Sequence, residues 1–153
     1  MSMKRPLAAV LLSALLLSLA GCSGDTAKVT VWRRGEDSTV TQETRKLQSG
    51  TELIAGAVAA FNSRPEEPGL SRAAPDGAEI LGWRLEGSEL KLEVSPEWAE
   101  LSGFDRTLAN CCAALTFCGL GSVDRVSFYL LGQRLGPALD KDDILLTSYT
   151  EQE

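Results

Sequence analysis

Four cysteines carry the reactive chemistry open to this chain, and they fall into two groups. Cys22 stands alone after the small residues Ala20-Gly21, at the end of an apolar run, and its thiol is the candidate for covalent modification. Cys111, Cys112 and Cys118 fall within eight residues, a set that could serve as a redox switch or a soft-metal site. Their spacing favours packing instead. Cys111 and Cys118 share a helical stripe with Leu108 and Leu115, where a buried cysteine behaves as a small hydrophobe. Adjacent Cys111 and Cys112 would point about 100° apart on a helix and make a poor disulfide. Asp140, Asp142 and Asp143 suggest calcium, but the sixth position of an EF-type loop counted from Asp140 is Leu145 where a glycine is needed. A solvated turn fits them better. The chain has no histidine, which removes the commonest general base and metal ligand together with every Ser-His or Cys-His nucleophile. Trp32, Trp83 and Trp98 read as packing residues, with room for one exposed ring to anchor a partner. No catalytic residue, cofactor or metal set is expected.

The elements around Cys22 give it a role. Lys4 and Arg5 form a short positive region, and Leu7 to Leu19 is an apolar run broken only by Ser13 and Ser18. That run is too short for a spanning helix, which needs about 20 residues, and reads as the core of an export signal. Leu19-Ala20-Gly21-Cys22 resembles the lipobox of bacterial lipoproteins. The resemblance implies that the Cys22 thiol receives a diacylglycerol and that residues 1–21 are removed. Each buried CH₂ is worth ~0.8 kcal/mol, so two or three acyl chains hold a domain on the membrane without any apolar face on the protein. Partnership with the membrane is therefore assigned to the lipid on Cys22, at the outer face of the cytoplasmic membrane.

Removing 21 of the 153 residues, Lys4 and Arg5 among them, leaves 132 residues with 13 basic against 21 acidic side chains. A net charge of −8 without a basic cluster argues against nucleic acid as a partner. One domain of ordinary size is expected.

Residues 22–27 read as a linker, 28–149 as the domain and 150–153 as a frayed tail. Lys28 to Arg33 alternates as a strand, with Val29 and Val31 on one side. Gly35 to Gly50 is polar and aperiodic, and reads as a long surface loop. Ser49-Gly-Thr-Glu52 has capping-box spacing ahead of a helix whose stripe is Leu53, Ile54, Ala57, Val58 and Phe61. Pro65 and Pro68 end it, and residues 64–77 form a second loop. A hairpin follows, with Leu81, Trp83 and Leu85 on one side, a turn at Gly87-Ser88, and Leu90, Leu92 and Val94 on the return strand. Pro96 breaks that strand. Ser102-Gly-Phe-Asp105 opens a second helix with Phe104, Leu108, Cys111, Cys112, Leu115 and Cys118 as its stripe, closed by Gly119 and Gly121. Val126, Phe128 and Leu130 make the last clear strand, with a further short strand at Ile144 to Leu146. The order is βαββαβ, and the economical packing is an α/β two-layer sandwich, a small mixed sheet with two helices on one face.

Val29 to Tyr149 resembles the GerMN domain of bacterial sporulation and germination lipoproteins. The resemblance is carried by Val29-Thr-Val-Trp32, the Leu53–Phe61 helix, Ala74-Pro-Asp-Gly77, Glu79-Ile-Leu-Gly82, Leu90-Lys-Leu-Glu-Val-Ser95, Leu115-Thr116, Gly121-Ser-Val-Asp-Arg-Val126 and Phe128-Tyr-Leu-Leu-Gly132. The closing region departs from the pattern, with Leu135-Gly136-Pro137 and no histidine. The resemblance implies a non-enzymatic module, similar to ring-building modules of secretion and sporulation assemblies, that works by contact with envelope proteins or by self-association. A rival reading is a lipoprotein that binds a cell-wall fragment or small solute between the 64–77 loop and the tryptophans. An enzyme built on the cysteine cluster ranks last.

Overall fold

A computed structural model describes residues 25–144. The export signal expected at 1–21, the lipidation expected at Cys22, the start of the expected 22–27 linker and the chain from residue 145 lie outside the described residues. Among the described residues no helix is long and apolar enough to cross a membrane.

Strand β1 (Lys28–Arg34) pairs antiparallel with β2 (Val40–Lys46) as a two-stranded ribbon. Helix α1 (Leu53–Asn62) follows, then the hairpin β3 (Ile80–Glu86) and β4 (Glu89–Val94). A short helix α2 (Pro96–Glu100) leads to α3 (Gly103–Cys118), and β5 (Arg125–Leu130), β6 (Gln133–Arg134) and β7 (Leu139–Asp140) close the chain. The main sheet runs β3-β4-β5-β6 with β7 also on β5, and β4 and β5 are parallel. The α/β class and the mixed sheet stand as expected from the sequence.

The element order is richer than βαββαβ, and the largest correction is β2. Residues 35–50 are not a loop throughout, because Val40 to Lys46 is a full partner of β1. Its pattern is polar because its buried inward position is Glu43, not an apolar residue. β1 therefore joins a ribbon and not the main sheet.

Helix α3 packs against β1 as well as against β5 and β7, so it is covered from more than one side. Ala109, Cys112, Ala113, Ala114 and Phe117 are all fully buried, and the small side chains let strands approach closely. A single stripe underestimated that face: Phe117 is in the core, Cys111 is half-buried, and Phe104 is exposed. Trp98, held by α2, fills the centre, with its ring stacked on Phe128 at 5.6 Å and 6.2 Å from Phe61.

Two capping expectations change. Glu52 is itself the N-cap of α1, its carboxylate accepting from the amides of Ile54 and Ala55, and is not the third residue of a box begun by Ser49. Ser102 makes no side-chain cap, and Asp105 instead pairs with Arg34 at 3.1 Å. On the hairpin, Gly87-Ser88 makes the expected turn, but a register shift between Ile80 and Gly82 changes the phase of β3. Ile80 and Trp83 then face the same side, and Leu81 is turned outward. Residue 144 ends a 3-10 turn (Lys141–Asp143) and is not in a strand; Leu145 and Leu146 lie outside the described residues.

Candidate interaction surface

The polar groups that sequence reading passed over form one closed network. Helix α1 ends at Asn62 and leaves carbonyls without intrahelical partners. Arg33 reaches them from β1: Nη2 donates to the Ala60 carbonyl at 2.8 Å, and Nη1 donates to Phe61 and Ser63, each at 3.0 Å. Its Nε donates to Glu43 Oε2 at 2.8 Å. The other oxygen of Glu43 accepts from the amides of Glu66 at 2.6 Å and Glu67 at 3.2 Å. Burial pulls the guanidinium below its ordinary pKa, against the opposing hold of Glu43. Burial would raise the Glu43 carboxyl, but the bonds from Arg33 and the two amides outweigh it and hold that group below its usual range. A positive side chain at a helix C-terminus is also favoured by the helix dipole. The network ties ribbon, helix end and the 64–67 turn together, and its bonds all run within the fold.

The described cysteines, Cys111, Cys112 and Cys118, are poorly placed to form a reactive thiolate. All three described cysteines are free. Burial pushes the Cys112 thiol up to about 12, with Cys111 adding to the shift, and burial raises Cys111 and Cys118 as well. Low-pKa, solvent-facing thiols are the reactive ones, and these are the reverse. Asp140 accepts from the Asp142 amide and Asp143 accepts from the Asp140 amide, so two of the three acids cap their own turn. No three His, Cys, Asp or Glu side chains among the described residues are placed to hold a metal ion. Nor do the tryptophans line one site with the 64–77 loop. Trp98 is in the core, Trp32 lies beside α3, and the loop turns Ala73 and Ala74 inward.

What the fold does leave exposed is three large apolar side chains on the main sheet, two of them at one end. Leu131 is 88% exposed, Leu81 62% and Trp83 38%. Register brings Leu81 and Leu131 to one end of the sheet, while Trp83, opposite Leu92, faces the other side. Ile80 pairs with Val94 and Glu93 with Tyr129, so Leu131, two residues past Tyr129, reaches the same sheet end as the Leu81 bulge. Glu93 links the two, lying opposite Gly82 and accepting from the Gly132 amide at 3.4 Å. Near them, though lined by neither leucine, lies a concavity of about 260 Å³ bounded by Gly82, Trp83, Arg84, Lys91, Glu93, Tyr129 and Gly132. Lys91 sits 5.8 Å from the Tyr129 ring centroid and is bound to Glu86 at 2.5 Å.

Leu131 is unusual twice over. Its φ is +49°, a left-handed conformation that L-residues with large side chains avoid. An asparagine or glycine would suit this hairpin turn better and expose less apolar surface. Sequence reading missed both leucines. The signal present was Leu131 directly before Gly132, a bulky residue where turn chemistry favours a small or polar one.

No family model matches the sequence, and no curated protein matches it. Solved structures do match. The first GerMN domain of the sporulation protein GerM from Bacillus subtilis superposes over 72% of this chain and 86% of that chain, at 14% identity and a TM-score of 0.60. The tandem GerMN domains of the same protein match 72% of this chain and 41% of that chain, at 15% identity and a TM-score of 0.58. At such identities the likeness is one of architecture, and the chain carries the GerMN fold.

Proposed function

We propose that this chain is a lipid-anchored, extracytoplasmic contact module of GerMN type, non-catalytic, held through Cys22 on the outer face of the cytoplasmic membrane. Its partners are envelope proteins, met through the sheet end that carries exposed Leu81 and Leu131. The observation that carries the reading is Leu131, an almost fully exposed leucine held in a disfavoured backbone conformation. Strain and exposure together disfavour the free protein, and such a residue is expected where another surface covers it. A central apolar anchor beside a shallow hollow is the usual layout of a protein contact. The likeness to domains of a sporulation protein supports sporulation or germination complexes as the setting.

The test is photocross-linking in cells with the reactive group at position 131, and a control group at Thr44 on the far ribbon. The expected result is one discrete adduct with an envelope protein from position 131, lost when Leu81→Ala is added. Equal adducts from both positions, or none in any growth state, would overturn this sheet end as a docking surface.

A further inference from the structure

A second surface, sharing no lining residue with the first concavity, lies between the outer edge of β1 and the C-terminal end of α3. It is a groove of about 670 Å³ whose lining includes Lys28, Thr30, Trp32, Leu115, Leu120 and Lys141. Three of its properties point to one kind of occupant.

The first is a gap in the pairing of a strand edge among the described residues. Along the side of β1 that faces away from β2, the Trp32 amide donates to Thr116 Oγ1 at 2.9 Å, and Arg34 exchanges backbone bonds with Ser71 at 3.1 and 2.8 Å. Strand alternation places the Thr30 N–H and C=O on that same side. No described residue bonds either group. Among the described residues this edge is thus engaged at Trp32 and Arg34, and Thr30 has one donor and one acceptor to offer an added strand.

The second is the apolar wall. Half-buried Trp32, Leu115 and Leu120 stand beside that edge, where alternate side chains of an added strand would fall.

The third is charge. In a chain of net charge −6, this groove is lined by two lysines and no carboxylate. Lys28 also lies directly opposite Lys46 across the ribbon, a like-charge pairing that disfavours the free fold. Lys28, Lys46 and Lys141 form no ion pair with any described carboxylate, whereas Lys91 is paired with Glu86. Asp124, Asp140, Asp142 and Asp143 line the adjoining hollow and share Lys141 with the groove, so the uncompensated end is the one at Lys28.

We infer that this groove takes an extended segment of a partner protein, added as a strand to the edge of β1 at Thr30, with alternate apolar side chains on Trp32 and Leu115 and a carboxylate at Lys28. This contact is separate from the patch at Leu131, and a module that holds one partner at each can join two components of an assembly.

The probe is a synthetic six-residue peptide, Glu-Val-Thr-Val-Thr-Leu with blocked ends, titrated into the full lipidated chain in detergent micelles. Its counterpart carries Lys in place of Glu. The acidic peptide is expected to bind and to slow exchange of the Thr30 amide about tenfold or more. The basic peptide is expected to bind about fivefold or more weakly, and Lys28→Glu to reverse that order. Thr30→Pro removes the amide on a strand edge that tolerates proline, and is expected to abolish binding with the fold intact. Binding that survives Thr30→Pro, or that ignores peptide charge, would overturn the inference, as would failure of both peptides to bind. Deleting residues 145–153 is expected to leave affinity unchanged. A rise of about tenfold or more would assign the groove to the chain's own C-terminal segment and overturn the partner. None of these variants touches Leu81, Trp83 or Leu131, so a negative result leaves the other surface standing.

Discussion

Arg33 Nε and Glu43 Oε2 meet at 2.8 Å, with the two side chains 0% and 1% exposed. The pair joins the two strands of the ribbon, and through the same two side chains it holds the end of α1 and the amides of Glu66 and Glu67. Its value lies less in the attraction itself than in the penalty for leaving either charge buried alone.

Glu43→Ala is accordingly expected to lower unfolding stability by about 3–5 kcal/mol. Arg34–Asp105, with side chains 33% and 48% exposed, is the control, and Asp105→Ala should change stability by under ~1 kcal/mol. Urea unfolding at neutral pH measures both. Equal effects would show that burial gives the inner pair no special weight.

The same carboxylate predicts an acid response. Its folded pKa lies below the unfolded value near about 4.3, so its contribution is complete above that value. The contribution is lost as pH falls through the folded pKa. The stability gap between the wild-type protein and Glu43→Gln should therefore be constant near neutrality and shrink below about pH 4. Urea midpoints from pH 7 to pH 2 measure it, and a gap that stays constant throughout would count against the assignment.

Leu131→Asn places a residue that accepts positive φ in the β5–β6 turn and is expected to raise stability by about 0.5–1 kcal/mol. The same variant should reduce partner capture at the patch. Thermal unfolding and the cross-linking yield are read together. A variant both more stable and fully competent would show that the exposed leucine serves no contact.

The thiols give a further check. Cys112 and Cys118 are buried and burial raises their pKa, so a thiol reagent at neutral pH should reach them at a rate set by unfolding. Half-buried Cys111 should react first and slowly. Fast labelling of Cys112 in the native protein would reopen the redox reading.

Cys22→Ala is expected to prevent lipidation, so that the shortened, membrane-held form disappears from cell fractions. A variant that is still shortened and still held on the membrane would remove the anchor from the proposal.

Much of the fold was legible because periodicity reports burial directly. Val29 and Val31, the Leu90–Val94 strand, Val126 and Phe128, and the Ile54–Phe61 helix face all lie where their spacing put them. β2 was not legible, because its buried position is filled by Glu43, and a charged residue reads as solvent-facing until its partner is known. Arg33 was hidden for the same reason. The outward turn of Leu81 depends on a register shift that one strand's alternation does not encode. Leu131 reads as part of an apolar strand end until the hairpin exposes it. Local spacing by itself determined the elements whose buried side is apolar. Tertiary structure decided which charges pair in the interior and which apolar side chains are left outside, because both depend on contacts between residues far apart in the chain.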